Sequence, residues 1–188
     1  MESGRWAQRT AGAHEAALRT YRHAATLPDF AAKRANVLVL AGSEALVAGE
    51  DELALDLLNQ ALRLDDANTE ARLHKARALL KLGRAGEALA TLEEAQQLMG
   101  PEHYWLQLLK GHSYDALERQ EEAIEAYQQA LALRPETANL YYFIGQAYQK
   151  LGAQERARRW YQDYLDHAPD GIFAEQAQAF LLPEENAR

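Results

Sequence analysis

A few local pairings in this 188-residue chain bring together side chains that could do chemistry. His14 and Glu15 begin the pattern of a zinc-protease helix, in which two histidines one turn apart hold the metal and a glutamate activates water, but the second histidine is missing. Ser43 in LAGSEA and Ser113 in GHSY lack the flanking glycines that let a serine hydroxyl stand exposed on a strained turn. Asp163 and His167 are four apart, and His112 and Asp115 three apart, so each pair shares a helix face and offers two metal ligands. A zinc site needs three or four, and no helix supplies a convincing second pair; solvated surface pairs are the simpler expectation. There is no glycine-rich phosphate loop. There is also no cysteine, which excludes disulfides, thiolate zinc sites and thiol catalysis. The residues therefore predict no enzyme, no cofactor and no metal.

The elements that carry these residues repeat. Ala54 and Ala88 are 34 apart, as are Ala123 and Ala157, Gly49 and Gly83, and Gly111 and Gly145; Pro101, Pro135 and Pro169 keep the same interval. A period in this range marks stacked helical hairpins, each unit contacting its neighbours. Aligned on their alanines, four units superimpose with one extra residue in the third, between Leu98 and Pro101, where a loop tolerates it. Gly42, Ala76, Gly111 and Gly145 hold one site on the first helix of each pair, and Ala54, Ala88, Ala123 and Ala157 one site on the second. Small residues there let the helices approach, and Leu58, Leu92, Tyr127 and Tyr161 fill the interface. Gly49, Gly83 and Gly152 follow the first helix, where a left-handed cap favours glycine; Glu118 replaces it once, predicting a less ideal turn. Pro135 and Pro169 stop second helices, and Asp66 stands where an earlier unit would have its proline.

These residues resemble the tetratricopeptide repeat (TPR) family, whose signature is W-x2-L-G-x2-Y, A-x3-F and P. Here it reads Tyr141-x2-Ile144-Gly145-x2-Tyr148, Ala157-x3-Tyr161 and Pro169. The preceding unit departs at Gln107 and Lys110 and keeps Gly111, Tyr114, Ala123, Tyr127 and Pro135. The two earlier units keep the small residues and lose the aromatic ones. The resemblance covers about residues 35–171 and implies an all-α fold, a right-handed superhelix of helix pairs. The expected units are 35–68, 69–103, 104–137 and 138–171. Residues 1–34 form a degenerate first unit, with a short helix from about Glu2 to Thr10, Gly12 at the turn, then Ala17, Tyr21, Ala24, Leu27 and Pro28. Residues 172–188 form a capping helix, with Phe173, Ala177, Phe180 and Leu181 on one face, and a tail.

In that family the first helix of each unit lines a concave groove. The fifth positions here are Val39, Leu73, Leu108 and Tyr142, an apolar ladder. The second are Asn36, Glu70, Trp105 and Asn139, and the ninth Ser43, Arg77, His112 and Gln146. The twelfth and thirteenth run from Leu46 and Val47 through Leu80 and Lys81, and Asp115 and Ala116, to Gln149 and Lys150. A peptide site would use Arg77, Lys81, Trp105, Leu108, His112, Tyr142, Gln146 and Gln149. The two cations would meet a carboxylate, while Trp105, Leu108 and Tyr142 would hold apolar side chains. The alternative is that the ladder packs between helices and the charges are solvated. The family's two-carboxylate clamp for chaperone tails is not reproduced: Val39, Ser43, Leu73, Arg77 and sixth-position Leu40, His74, Leu109 and Phe143 occupy its sites. The helix ANVLVLAGSEALVAG is apolar almost all round, which predicts cover on several sides, from the N-terminal segment, an apolar partner or a second copy. Trp160, Tyr161 and Tyr164 cluster on the last second helix, under the expected cap.

Composition bounds the partners. Apolar residues make up 48% and charged ones 26%, enough for a continuous core. A net charge of -8 leaves no basic footprint for nucleic acid or for an anionic membrane surface. No apolar run approaches the roughly 20 residues of a transmembrane helix, so no membrane insertion is expected. The opening MESGRWAQRT has no apolar signal-peptide stretch, so the expectation is cytoplasmic, or periplasmic if an export signal has been removed. Arginine outnumbers lysine 15 to 5, which suggests a GC-rich bacterial source. The predicted function is a non-catalytic module, adaptor or scaffold, that binds a protein or peptide segment in the groove. Two alternatives are a self-associating scaffold, hence a homo-oligomer, and a regulatory repeat domain of a larger enzyme.

Overall fold

The computed structural model describes residues 12, 14–21, 23, 24, 26 and 33–182. Among these no strand occurs, and residues 14–21 are helical. Nine helices follow: α1 (Arg34–Ala48), α2 (Asp51–Leu64), α3 (Thr69–Lys81), α4 (Ala85–Met99), α5 (Tyr104–Ala116), α6 (Gln120–Leu133), α7 (Ala138–Lys150), α8 (Gln154–His167) and α9 (Ala174–Leu181). They fall into two compact units, Met1–Met99 with α1 to α4 and Gly100–Arg188 with α5 to α9. Within each unit every helix packs on the next in sequence. The sequence placed a short helix from about Glu2 to Thr10, with Leu27 and Pro28 closing its unit; these lie outside the described residues.

One turn chemistry closes the odd-to-even hairpins in both units. A backbone N–H two or three residues past the helix returns to a carbonyl five residues back: Glu50 to Ala45 at 2.9 Å, Arg84 to Leu79 at 2.8 Å, Arg119 to Tyr114 at 2.9 Å and Ala153 to Tyr148 at 2.9 Å. That bond forms only if the residue between adopts the left-handed conformation. Gly49, Gly83 and Gly152 do so at φ of 81°, 73° and 73°, and Glu118 does so at 59° despite its side chain. Elsewhere the turns use other means. Pro135 and Pro169 follow α6 and α8, whereas after α2 the Asn68 side chain caps α3 by accepting from the Ala71 N–H at 2.9 Å, and Asp65 accepts from Ala67 N–H at 3.2 Å. Polar side-chain caps thus replace the missing proline. Gly100, in the turn with the extra residue, is also left-handed, at φ 79°.

Packing between paired helices follows the small-residue sites. A Cβ at Gly42 would lie 2.7 Å from Leu58 Cγ, and one at Gly145 would lie 3.0 Å from the Tyr161 ring. One at Gly111 would overlap the Tyr127 ring outright. In the remaining pair Ala76 and Leu92 are both fully buried, so alanine with leucine fills the volume that glycine with tyrosine fills in the second unit.

The last helix closes the second unit. Phe173 stacks on Tyr142 with centroids 4.2 Å apart, Phe180 meets Tyr161 edge-on at 4.9 Å, and Ala177 is fully buried. The Tyr164 hydroxyl accepts from Phe173 N–H at 3.0 Å, and Arg158 donates to the Leu181 carbonyl at 3.0 Å. Tyr161 and Tyr164 are thereby covered, and Trp160 instead lies 5.8 Å from the Tyr141 ring. In the first unit, α1 buries Val37, Leu38, Val39, Ala41, Ala45 and Leu46. His14 pairs with Glu44 at 2.7 Å and ties the helical segment 14–21 to it, with Leu18 buried. Chain cover over α1 is incomplete: Leu40 is 45% and Val47 55% exposed.

Candidate functional site

The first-helix faces of the first unit are those of α1 and α3. Arg77 and Lys81 are one turn apart on α3, and both are exposed. Lys81 is already engaged: its Nζ donates to the Leu46 carbonyl at 2.8 Å, at the C-terminal end of α1, and to Asp51 Oδ1 at 3.1 Å, in the first turn of α2. It serves first to lock α3 onto the α1–α2 turn. Arg77 has no ion-pair partner among the described residues. Its charge reaches His74, whose basicity is held below the ordinary value mainly by burial, with Arg77 adding to the effect and Glu70 opposing it. The Lys81 bond to Leu46 places Lys81 beside the end of α1, where Val47 follows Leu46 in the chain, with Leu40 two turns back from Val47. Leu40, a sixth-position residue, and Val47 are the exposed apolar groups here, whereas fifth-position Val39 is buried. The sequence ladder therefore runs one residue off the open surface in α1.

In the second unit the faces belong to α5 and α7. Trp105 is 49% exposed, with Tyr104 edge-on to it at 5.1 Å and the Arg134 guanidinium 5.9 Å from its ring. Leu108 is half-buried against the aromatic cluster around Tyr127. His112 is wedged edge-on between Tyr127 and Phe143, at 5.4 and 4.9 Å. Its Nδ1 lies 2.8 Å from the Tyr127 hydroxyl. Burial pushes its pKa below the ordinary value, with Asp115 opposing the shift. Gln146 is half-buried, and Gln149 is exposed and accepts from the Tyr161 hydroxyl at 2.6 Å. Lys150 Nζ meets Asp115 Oδ1 at 2.6 Å and draws the ends of α7 and α5 together. Tyr142 is only 8% exposed beneath Phe173, so the cap takes the place a ligand side chain would fill.

Sequence reasoning missed the tyrosine hydroxyls. Tyr127 and Tyr161 read as space-filling aromatics, yet each also holds a polar side chain of a first helix. The one available signal was their spacing within the unit. The sequence pairs offered as metal ligands are otherwise occupied: His167 Nδ1 meets the Asp163 backbone carbonyl at 2.8 Å while its ring stacks on Tyr141 at 4.5 Å. Among the described residues no group of three or more His, Cys, Asp or Glu is placed to hold a metal, and no helix is long and apolar enough to cross a membrane.

Helix pairs closed by left-handed glycine turns, with a small residue on one helix notched against a large one on the other, define an all-α repeat of the TPR kind. Sequence profiles described as tetratricopeptide repeat match residues 48–111 and 138–170, and one described as TPR repeat matches 111–152. The chain belongs to the tetratricopeptide repeat family. Human tetratricopeptide repeat protein 7B is 29% identical over 101 residues, which is 51% of this chain and 12% of that protein, so the chain corresponds to a small part of its length. Solved structures share the fold. MamA from Desulfovibrio magneticus RS-1 has a TM-score of 0.73 at 21% identity, covering 88% of this chain and 97% of its own. A thermophilic TPR protein from Thermus thermophilus has 0.72 at 21%, covering 92% of each chain. YrrB, a TPR protein with an unusual peptide-binding site, has 0.72 at 24%, covering 89% of this chain and 84% of its own.

Proposed function

We propose that this chain is a non-catalytic protein-interaction module that holds a partner segment, extended or as a short helix, against its first-helix faces. The observation that carries the reading is Arg77. It is an exposed guanidinium without an ion-pair partner among the described residues, in a chain of net charge -8 whose other nearby cation, Lys81, is tied to Asp51. On α1, which contacts α3, Val47 and Leu40 stay exposed. A guanidinium on one helix with exposed apolar side chains on its neighbour suits a segment that pairs an acidic residue with an aliphatic or aromatic one. In the second unit Trp105 and Leu108 supply the apolar contacts, and His112, Gln146 and Gln149 the polar ones. Tyr142 contributes packing beneath Phe173 rather than direct contact. The shared fold with YrrB supports a peptide-binding reading. The acidic balance argues against nucleic acid.

A paired capture from lysate tests this. One bait is the unaltered chain and the other carries Arg77→Glu with Leu108→Glu, matched for helicity. A protein retained by the first and lost from the second, and cross-linked to α1, α3, α5 or α7, is the expected result. Equal retention by both baits would move the site off these faces. Exposed Leu40 and Val47 also fit self-association through α1. That reading requires a molecular mass that rises with concentration in light scattering and falls with Val47→Glu.

A further inference from the structure

Histidine and glutamine side chains can each both donate and accept hydrogen bonds, so alone they do not specify the polarity of a ligand. In the second unit two tyrosines remove that ambiguity. Tyr127 is seated in the notch at Gly111, almost fully buried, and its hydroxyl has His112 Nδ1 as its partner among the described residues. A buried hydroxyl proton needs an acceptor, because a donor cut off from water and left unpaired keeps its full desolvation penalty. Burial and the nearby Asp115 carboxylate push the phenol far above its ordinary range, so the proton stays on oxygen. It is donated to Nδ1, and the neutral imidazole therefore carries its own proton on Nε2. His112 Nε2 has no partner among the described residues and is not one of the buried orphaned polar atoms, so it reaches solvent.

The same arrangement recurs in the next hairpin. Tyr161, in the notch at Gly145, donates to Gln149 Oε1 at 2.6 Å and takes up the acceptor end of the amide. The Gln149 NH2, two N–H donors on an exposed side chain, has no partner among the described residues. The Lys150–Asp115 pair joins the two helices here: His112 is one turn from Asp115 on α5, and Gln149 adjoins Lys150 on α7. Charge there is balanced, with a neutral imidazole, a neutral amide and a closed ion pair.

We infer that the α5–α7 face presents the His112 Nε2–H and the Gln149 NH2 as donors, set by Tyr127 and Tyr161, and that these receive main-chain carbonyl oxygens of an extended partner peptide. A carboxylate would gain hydrogen bonds there but no net charge attraction, whereas peptide carbonyls need only donors. Tyr127 and Tyr161 are positioning residues, acting through His112 and Gln149. The inference rests on the peptide-binding reading and names what the second unit recognises.

Two measurements test it, and they fail separately. Long-range 1H–15N correlation on the intact chain reads the His112 tautomer without any ligand. Protonated Nε2 with bare Nδ1 is expected, giving way to a tautomer mixture in Tyr127→Phe; protonated Nδ1 in the unaltered chain would overturn the inference even if peptides bind. The second measurement uses peptides selected on the unaltered chain from a random-sequence phage library. Tyr127→Phe and Tyr161→Phe, with helicity intact, should each weaken binding by about threefold to tenfold. Ester-for-amide swaps in the peptide, which weaken a carbonyl acceptor, should do the same. Unchanged affinity in both variants would overturn the inference. So would peptides that lose binding on C-terminal amidation while ester swaps are silent, because the donors would then serve a carboxylate. A library that yields no binder would sink the peptide-binding reading itself, and the docking claim with it.

Discussion

Glu118 holds a backbone conformation that three glycines hold at the equivalent turns, with φ of 59°. A side chain in the left-handed region costs roughly 1–2 kcal/mol, offset in part by the extra freedom glycine has in the unfolded chain. Glu118→Gly should therefore raise stability by about 0.5–1 kcal/mol, seen as a higher urea midpoint at unchanged slope. The turn position was legible in the sequence because a glycine at fixed spacing has one main physical cause. The roles of His112 and His74 were not, because burial and partner depend on which distant side chain faces them. Both have basicity lowered chiefly by burial. The unfolded chain, with histidines near 6.5, then takes up protons before the folded one does as pH falls. Their stabilising contribution is full above that value and is lost as pH drops through the lowered folded values. The urea midpoint should fall between about pH 7.5 and about pH 5.5, and by less in a His112→Gln variant. An equal fall in both would remove His112 from the account.

Helix pairing is decided by volume at one crossing. Gly111 has no room for a methyl group against Tyr127, whereas Ala76 is accommodated opposite Leu92. Gly111→Ala should cost about 1–3 kcal/mol through overpacking. Adding Tyr127→Leu, which recreates the alanine–leucine pair, should recover part of that loss, and a double-mutant cycle would measure the coupling. Additive losses would mean that the crossing does not set the fit. At the C-terminal end, Phe173→Ala should cost about 2–3 kcal/mol and expose Tyr142, readable as increased tyrosine accessibility to solvent quenchers. The small-to-large pairing and the capping face of Phe173, Ala177 and Phe180 could be read directly, since both are periodic. The open surface could not. Val39 and Tyr142 occupy groove positions by count, yet the close packing of α1 buries one and Phe173 covers the other. Pattern gives the face of a helix to within about one residue, and one residue is a rotation of about 100°. The turn after α2, lacking its proline, kept its place through Asp65 and Asn68, a substitution of means that the spacing already implied.

At the scale of the molecule, the acidic balance makes each uncommitted cation informative. Lys81 and Lys150 are spent on ties between helices, which leaves Arg77 as the charge best placed to meet a partner in the first unit. On the proposed reading, partners dock on the first helices and leave the second helices clear. Backbone amide shift mapping of the 15N-labelled chain, titrated with a library-selected peptide, tests it most directly. Perturbations should concentrate in α1 and α3 around Arg77 and Val47, or in α5 and α7 around Leu108, His112 and Gln149, and should be lost in the Arg77→Glu or Leu108→Glu variant of the unit concerned. Perturbations confined to α2, α4, α6 and α8, unaffected by those variants, would contradict it.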